Sequence, residues 1–256
     1  MTSFKQAAVW WCYKQVGVAF TDFVRAAAAF GYQGIELPDP EHYPIIKEHG
    51  LEIATIRGHD SIPAGLNRRA NHARIEREIR DNLEVAVKWS VPNLICFSGN
   101  RDGLDDAMGQ AMTIEGLQRV ARFAEDAGVT LVMELLNSKV DHPDYQFDRM
   151  AWGVGVCERV ASPHVKILYD LYHAQVMEGD LIRTLRTHHA WIGHYHTAGN
   201  PGRHELDDTQ ELNYVSIMRA IADTGFTGYV GQEFVPRGEP LAAMRALRAA
   251  YTLCHI

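Results

Sequence analysis

The chain has 256 residues, 46% of them hydrophobic, and a formal net charge of −7. That is enough apolar material for one large core, and the negative balance argues against a general polyanion-binding surface. No apolar run approaches the roughly 20 residues needed to span a bilayer, and MTSFKQAAVWW has no basic segment leading into a long apolar one, so no secretory signal is expected.

In chain order, short apolar runs alternate with helical patterns. AAVWWC, GIELP, LEIATIRG, NLICFSG, TLVMELLN, VKILYDLY, WIGHYHTA and GYVGQEF read as strands. Between them TDFVRAAAAFG, EHYPIIKEHG, NHARIEREIRDNLEVAVKWS, TIEGLQRVARFAEDAG, FDRMAWGVGVCERVAS, GDLIRTLRTHH and NYVSIMRAIADTG read as helices, and PLAAMRALRAAYTLCHI is a last one. Gly31, Gly50, Gly128 and Gly225 stand where helices stop before strands. Pro92 and Pro163 mark helix-to-strand turns, and Thr21 and Thr113 are N-cap candidates.

Eight strand-then-helix units in a chain of this length predict an α/β fold, a (β/α)8 TIM barrel forming a single domain over residues 1–256. An open doubly wound sheet would advertise a Gly-rich loop after its first strand, and CYKQVGVAF has none. The four cysteines, Cys12, Cys96, Cys157 and Cys254, are far apart and form no CxxC pair. They read as reduced, mostly buried thiols of an intracellular protein, so a cytoplasmic location is expected.

In such a barrel the active site lies at the C-terminal ends of the strands. Polar residues stand near those ends in the last four apolar runs: Glu134 in TLVMELLNS, Asp170 in VKILYDLYHAQ, His196 in WIGHYHTAG and Glu233 in GYVGQEFVP. Each has an ordinary explanation. Glu134 could pair with Lys139 or Arg149, Asp170 could cap the following helix, and a lone strand histidine is more often structural. Three carboxylates and an imidazole at corresponding points favour a shared divalent ion, and this oxygen-rich set suits Mn²⁺, Mg²⁺ or Co²⁺, with Zn²⁺ admissible. His194 alternates with His196 and shares its strand face; it either supports the ligand or is a core histidine.

Such a site suits aldose–ketose isomerisation. The ion polarises a carbonyl, and Glu134 and Glu233 exchange the proton between adjacent carbons. His173 in DLYHAQ faces the same barrel mouth as Asp170 and weakens the plain capping explanation of that residue. Arg203 in GNPGRHE, His59 in RGHDS and Lys139 after Glu134 are placed to touch substrate, with Arg203 suited to a carboxylate or hydroxyl; each of these three could equally be an ordinary loop residue.

The segments VMELLNSKVDHPDY, LYDLYHAQVMEGDL, IGHYHTAGNPGRHE and GYVGQEFVP resemble the xylose-isomerase-like barrel superfamily of sugar isomerases, epimerases and endonucleases, and within it the hydroxypyruvate isomerase family. The resemblance spans essentially the whole chain and is most specific in its C-terminal half. It implies metal ligands at Glu134, Asp170, His196 and Glu233, a proton-transfer pair at the two glutamates, and substrate contacts at His173 and Arg203. Hydroxypyruvate isomerases often carry Gln at the place of His196, where ketose 3-epimerases carry His. The epimerases in turn carry a Glu where this chain has Val140. The resemblance thus implies hydroxypyruvate and tartronate semialdehyde as leading substrates, with 2-oxo-tetronate isomerisation and ketose 3-epimerisation as alternatives. An abasic-site endonuclease would need further histidines, which FSGNRDG lacks, and a non-catalytic sugar-binding barrel would not need two opposed bases. The expected partner is a small-molecule substrate, with no nucleic acid and no membrane; a homo-oligomer stays open.

Overall fold

A computed structural model describes residues 3–256. In chain order the elements are β1 Lys5–Val9, α1 Trp10–Lys14, α2 Phe20–Phe30, β2 Gly34–Glu36, α3 Tyr43–Glu48, β3 Glu52–Arg57, α4 Arg69–Trp89, β4 Asn93–Cys96, α5 Asp106–Gln118 and α6 Ala121–Ala127. There follow β5 Thr130–Glu134, α7 Met150–Val160, β6 Val165–Asp170, α8 Leu171–Met177, α9 Leu181–His188, β7 Ile192–Thr197, α10 Tyr214–Asp223, β8 Tyr229–Gln232 and α11 Pro240–Cys254. The strands form a closed barrel in sequence order, β1 through β8, so the expected (β/α)8 architecture is the one observed.

By contact density the chain divides into two compact units, Met1–Ala54 with Asp180–His189 and Tyr195–Ile256, and Thr55–Gly179 with Ala190–His194; the division falls inside β3 and β7. In the first, β1 pairs in parallel with β2 (Val9 opposite Glu36) and with β8 (Ala7 opposite Gly231), and β8 pairs with β7 (Gly231 opposite His196). Its strand interior holds small residues around one aromatic ring, with Ala7, Ala54 and Tyr229 clustered and fully or almost fully buried. In the second, β3, β4, β5 and β6 run in parallel, with Glu134 opposite Leu168. These strands are buried nearly throughout, which is why they read as continuous apolar runs.

The helices follow from amphipathic spacing. α4 buries His72, Ile75, Ile79, Leu83 and Ala86, a stripe at intervals of three and four residues. Gly31 and Gly128 close α2 and α6 in the left-handed conformation. The two threonine caps are corrected. α2 starts after Ala19, so Thr21 lies inside it, and Thr113 lies inside α5, donating to the Gly109 carbonyl at 2.8 Å. The cap of α5 is Asp105, whose side chain accepts from the Met108 amide at 2.8 Å. A second difference concerns AAVWWC. The strand stops at Val9, and Trp10–Lys14 turns into a short helix whose Trp10 and Tyr13 pack on Phe23 at ring separations of 5.3 and 4.8 Å. All four cysteines are free and buried. Among the described residues no helix is long and apolar enough to cross a membrane.

Candidate metal and catalytic centre

In the half of the chain that contains the end of β7 and all of β8, the site is built on His196 and Glu233. His196 is the penultimate residue of β7, and Glu233 follows β8, its amide donating to the Thr197 carbonyl at 2.9 Å. Both side chains are buried. His196 Nδ1 lies 3.0 Å from Glu233 Oε2, and its Nε2 lies 3.0 Å from Glu36 Oε2. The Glu233 carboxylate is held on both oxygens: Trp11 Nε1 donates to Oε1 at 3.1 Å and Arg203 Nη2 donates to Oε2 at 2.7 Å. The Arg203 guanidinium also lies 5.3 Å over the Trp11 ring. Burial pushes the nearby Cys12 thiol well above its usual range, and the Glu233 carboxylate adds to that shift.

In the other half, β5 and β6 end on Glu134 and Asp170. Both are buried, the Glu134 carbonyl accepting from the Tyr145 hydroxyl at 3.0 Å. Asp170 does cap α8, as its ordinary reading held, with Oδ1 accepting from the His173 amide at 2.9 Å. His173 is fully buried. Its Nδ1 accepts from the Asn137 amide at 3.2 Å and faces the Asn137 side-chain nitrogen at 2.6 Å, and its Nε2 lies 3.9 Å from Asp170 Oδ2. Asn137 in turn accepts from the Val140 and Asp141 amides, which fixes the loop after β5.

Glu134 and Asp170 in one half, and His196 and Glu233 in the other, are buried donors at or next to the ends of β5 to β8. A buried carboxylate is costly unless a proton, a partner or a cation neutralises it. Carboxylate oxygens and imidazole nitrogen are donors that fit a hard divalent ion. His194 is fully buried, its Nδ1 3.4 Å from Asn93 Nδ2, as expected of a strand-core histidine.

The other two residues expected to touch substrate are occupied otherwise. Lys139 Nζ donates to the Val176 and Met177 carbonyls, 3.0 Å each, at the C-terminal turn of α8. His59 is fully buried, its Nε2 accepting from the Phe97 amide at 2.9 Å, and burial pushes its pKa down to about 4. It is a neutral ring and brings no positive charge. Sequence reasoning passed over Glu36, Trp11 and Asn137. Glu36 carries the same signal as the others, a carboxylate ending an apolar run, whereas Trp11 lay hidden in a run read as strand.

Residues 24–251 match the family of xylose-isomerase-like TIM barrels. This chain belongs to that family. A Xenopus laevis protein provisionally named as a hydroxypyruvate isomerase is 26% identical over 93% of this chain and 92% of its own length. A 2-oxo-tetronate isomerase of Pectobacterium atrosepticum is 29% identical over 87% of this chain and 88% of its own. Among solved structures, a Brucella melitensis protein described as a family 2 AP endonuclease superposes with a TM-score of 0.83 at 28% identity, covering 97% of this chain and 99% of that one.

Proposed function

We propose that this chain is a divalent-metal-dependent isomerase that moves a carbonyl between adjacent carbons of a small 2-oxo or 2-hydroxy compound, with hydroxypyruvate and tartronate semialdehyde as the leading pair. The observation that carries the reading is that four successive strands, β5 to β8, each end on or lead into a buried donor, two of them glutamates. Relatives named as isomerases over nearly their full length support it. An ion held by Glu134, Asp170, His196 and Glu233 supplies carbonyl polarisation and acidifies the adjacent C–H bond.

The remaining steps belong to the side chains. One glutamate takes a proton from the hydroxymethyl carbon, and the C–H electron pair becomes the C=C bond of an enediol. The other side of the site returns a proton to the former carbonyl carbon, and the hydroxyl proton passes from one oxygen to its neighbour. Glu233 is held on both oxygens by Trp11 and Arg203, which fixes the orientation a proton acceptor needs. His173 presents Nε2 beside Asp170, where it can donate to a substrate oxygen.

Isomerisation of a four-carbon 2-oxo acid follows the same course with a longer substrate. Epimerisation at C3 of a free ketose is the second reading, favoured by His196, which stands where hydroxypyruvate isomerases often carry Gln. A panel of three-carbon acids, four-carbon acids and ketoses in D₂O, followed by NMR, tests all three. Deuterium incorporation with carbonyl transfer in an acid supports the first reading. Turnover of ketoses alone moves the substrate claim to the second, and no exchange with any of them sinks the enzymatic reading.

A further inference from the structure

Glu36 is not among the four proposed ligands, yet it is fully buried and its Oε2 lies 3.0 Å from His196 Nε2. We infer that Glu36 is a positioning residue that keeps the proton on His196 Nε2 and so presents the Nδ1 lone pair to a divalent ion; this rests on the metal site proposed above.

The geometry starts from the strands. Glu36 ends β2, whose neighbour is β1, and β1 pairs with β8 and β8 with β7. To reach His196 on β7 the Glu36 side chain must pass over β8. It does so at Gly231, the residue opposite His196 in the β7–β8 register. A Cβ at Gly231 would sit 2.1 Å from Glu36 Oε1 and 2.9 Å from His196 Cδ2. Glycine is therefore required here for space, and the space is filled by a carboxylate and an imidazole edge.

The imidazole is approached from both sides. Glu36 faces Nε2 and Glu233 faces Nδ1, each at 3.0 Å. Only Nδ1 points at another of the four proposed ligands, Glu233. A nitrogen that ligates a metal cannot also carry a proton, so the tautomer decides which nitrogen is available. An anionic acceptor at Nε2 stabilises the proton there, fixes the ring plane and makes Nδ1 a stronger donor. A merely structural role is a poor account of Glu36, since a buried carboxylate facing a neutral imidazole costs more than an apolar pair of similar size.

The test uses Mn²⁺ titration of the full-length protein, the melting temperature of the metal-free form, and NMR of the His196 ring in the Zn²⁺-loaded form. In the wild type one equivalent of Mn²⁺ should bind, and the Zn²⁺ form should carry a strongly downfield Nε2–H proton. Glu36→Gln should weaken Mn²⁺ about 10- to 100-fold, move that proton upfield, and leave the metal-free melting temperature nearly unchanged. Gly231→Ala, which displaces the carboxylate without removing it, should weaken Mn²⁺ as well. Asp170→Asn serves as the reference. If it weakens Mn²⁺ while Glu36→Gln stays within twofold of wild type, the role of Glu36 is overturned and the metal site stands. If Asp170→Asn has no effect but Glu36→Gln abolishes binding, Glu36 is itself a ligand, and both readings fall. An unprotonated, metal-bound Nε2 in the wild type overturns the inference without any variant.

Discussion

The Arg203 guanidinium donates to Glu233 Oε2 at 2.7 Å, so the cation proposed to read a substrate carboxylate holds one of the two proposed catalytic glutamates. Losing a charged hydrogen bond of this kind costs roughly 1.5–3 kcal/mol. Arg203→Ala is therefore expected to lower kcat/KM roughly 10- to 150-fold. Steady-state kinetics on an acid and a neutral ketose separate its two duties. A larger rise in KM for the acid means that the guanidinium also binds the anionic end; equal losses confine it to Glu233.

Glu233→Gln replaces a proton acceptor with an amide of the same shape, and Trp11 Nε1 and Arg203 Nη2, which donate to the present oxygens, keep one acceptor between them. Turnover is expected to fall by roughly 10² to 10⁴, with Mn²⁺ still bound more weakly. Glu134→Gln should behave alike. The measurement is kcat together with deuterium exchange into substrate, and near-normal exchange in either variant would assign the proton transfer to another group.

The barrel was legible in the sequence because its strands are buried nearly throughout, and the same burial is what makes Glu134, Asp170, His196 and Glu233 stand out. Apolar runs located the strands, and a polar residue at the end of such a run has few reasons to be there. The same signal in GIELP pointed at Glu36, which was passed over because one short strand early in the chain carries no companion motif. What could not be read were the local geometries. Trp11 depends on a backbone turn after Val9 that a continuous apolar run hides. Lys139 and His59 stood in suitable loops, but loop position does not say where a side chain ends. Lys139 found helix carbonyls and His59 a backbone amide.

Lys139 is expected to matter for stability and little for substrate. Its ammonium sits on the last carbonyls of α8, where a positive charge offsets the exposed helix end. Lys139→Ala should lower stability by about 0.5–1 kcal/mol, the usual size of such an end contact, as read by urea unfolding. KM should stay within about twofold, the scatter of a change that touches no substrate. A tenfold rise in KM would return Lys139 to the substrate site.

His59 sets the last prediction, a dependence of stability on pH. Burial holds its pKa at about 4 against an ordinary value of 6.5, and the Phe97 amide occupies the nitrogen that would take the proton. The folded value lies below the unfolded one, so on acidification the unfolded chain binds the proton first. The contribution is complete above about pH 6.5 and is lost progressively as the pH falls towards about 4. A gap of 2.5 units, from 6.5 to about 4, sets an upper bound of about 3–4 kcal/mol. His59→Gln removes the titration and keeps an acceptor for the Phe97 amide. It should be less stable than wild type at pH 7.5, and the difference should shrink steadily by pH 5. Urea midpoints at pH 7.5, 6 and 5 measure this. Parallel profiles for the two proteins would mean that the ring is already protonated at neutral pH or does not keep its place against Phe97.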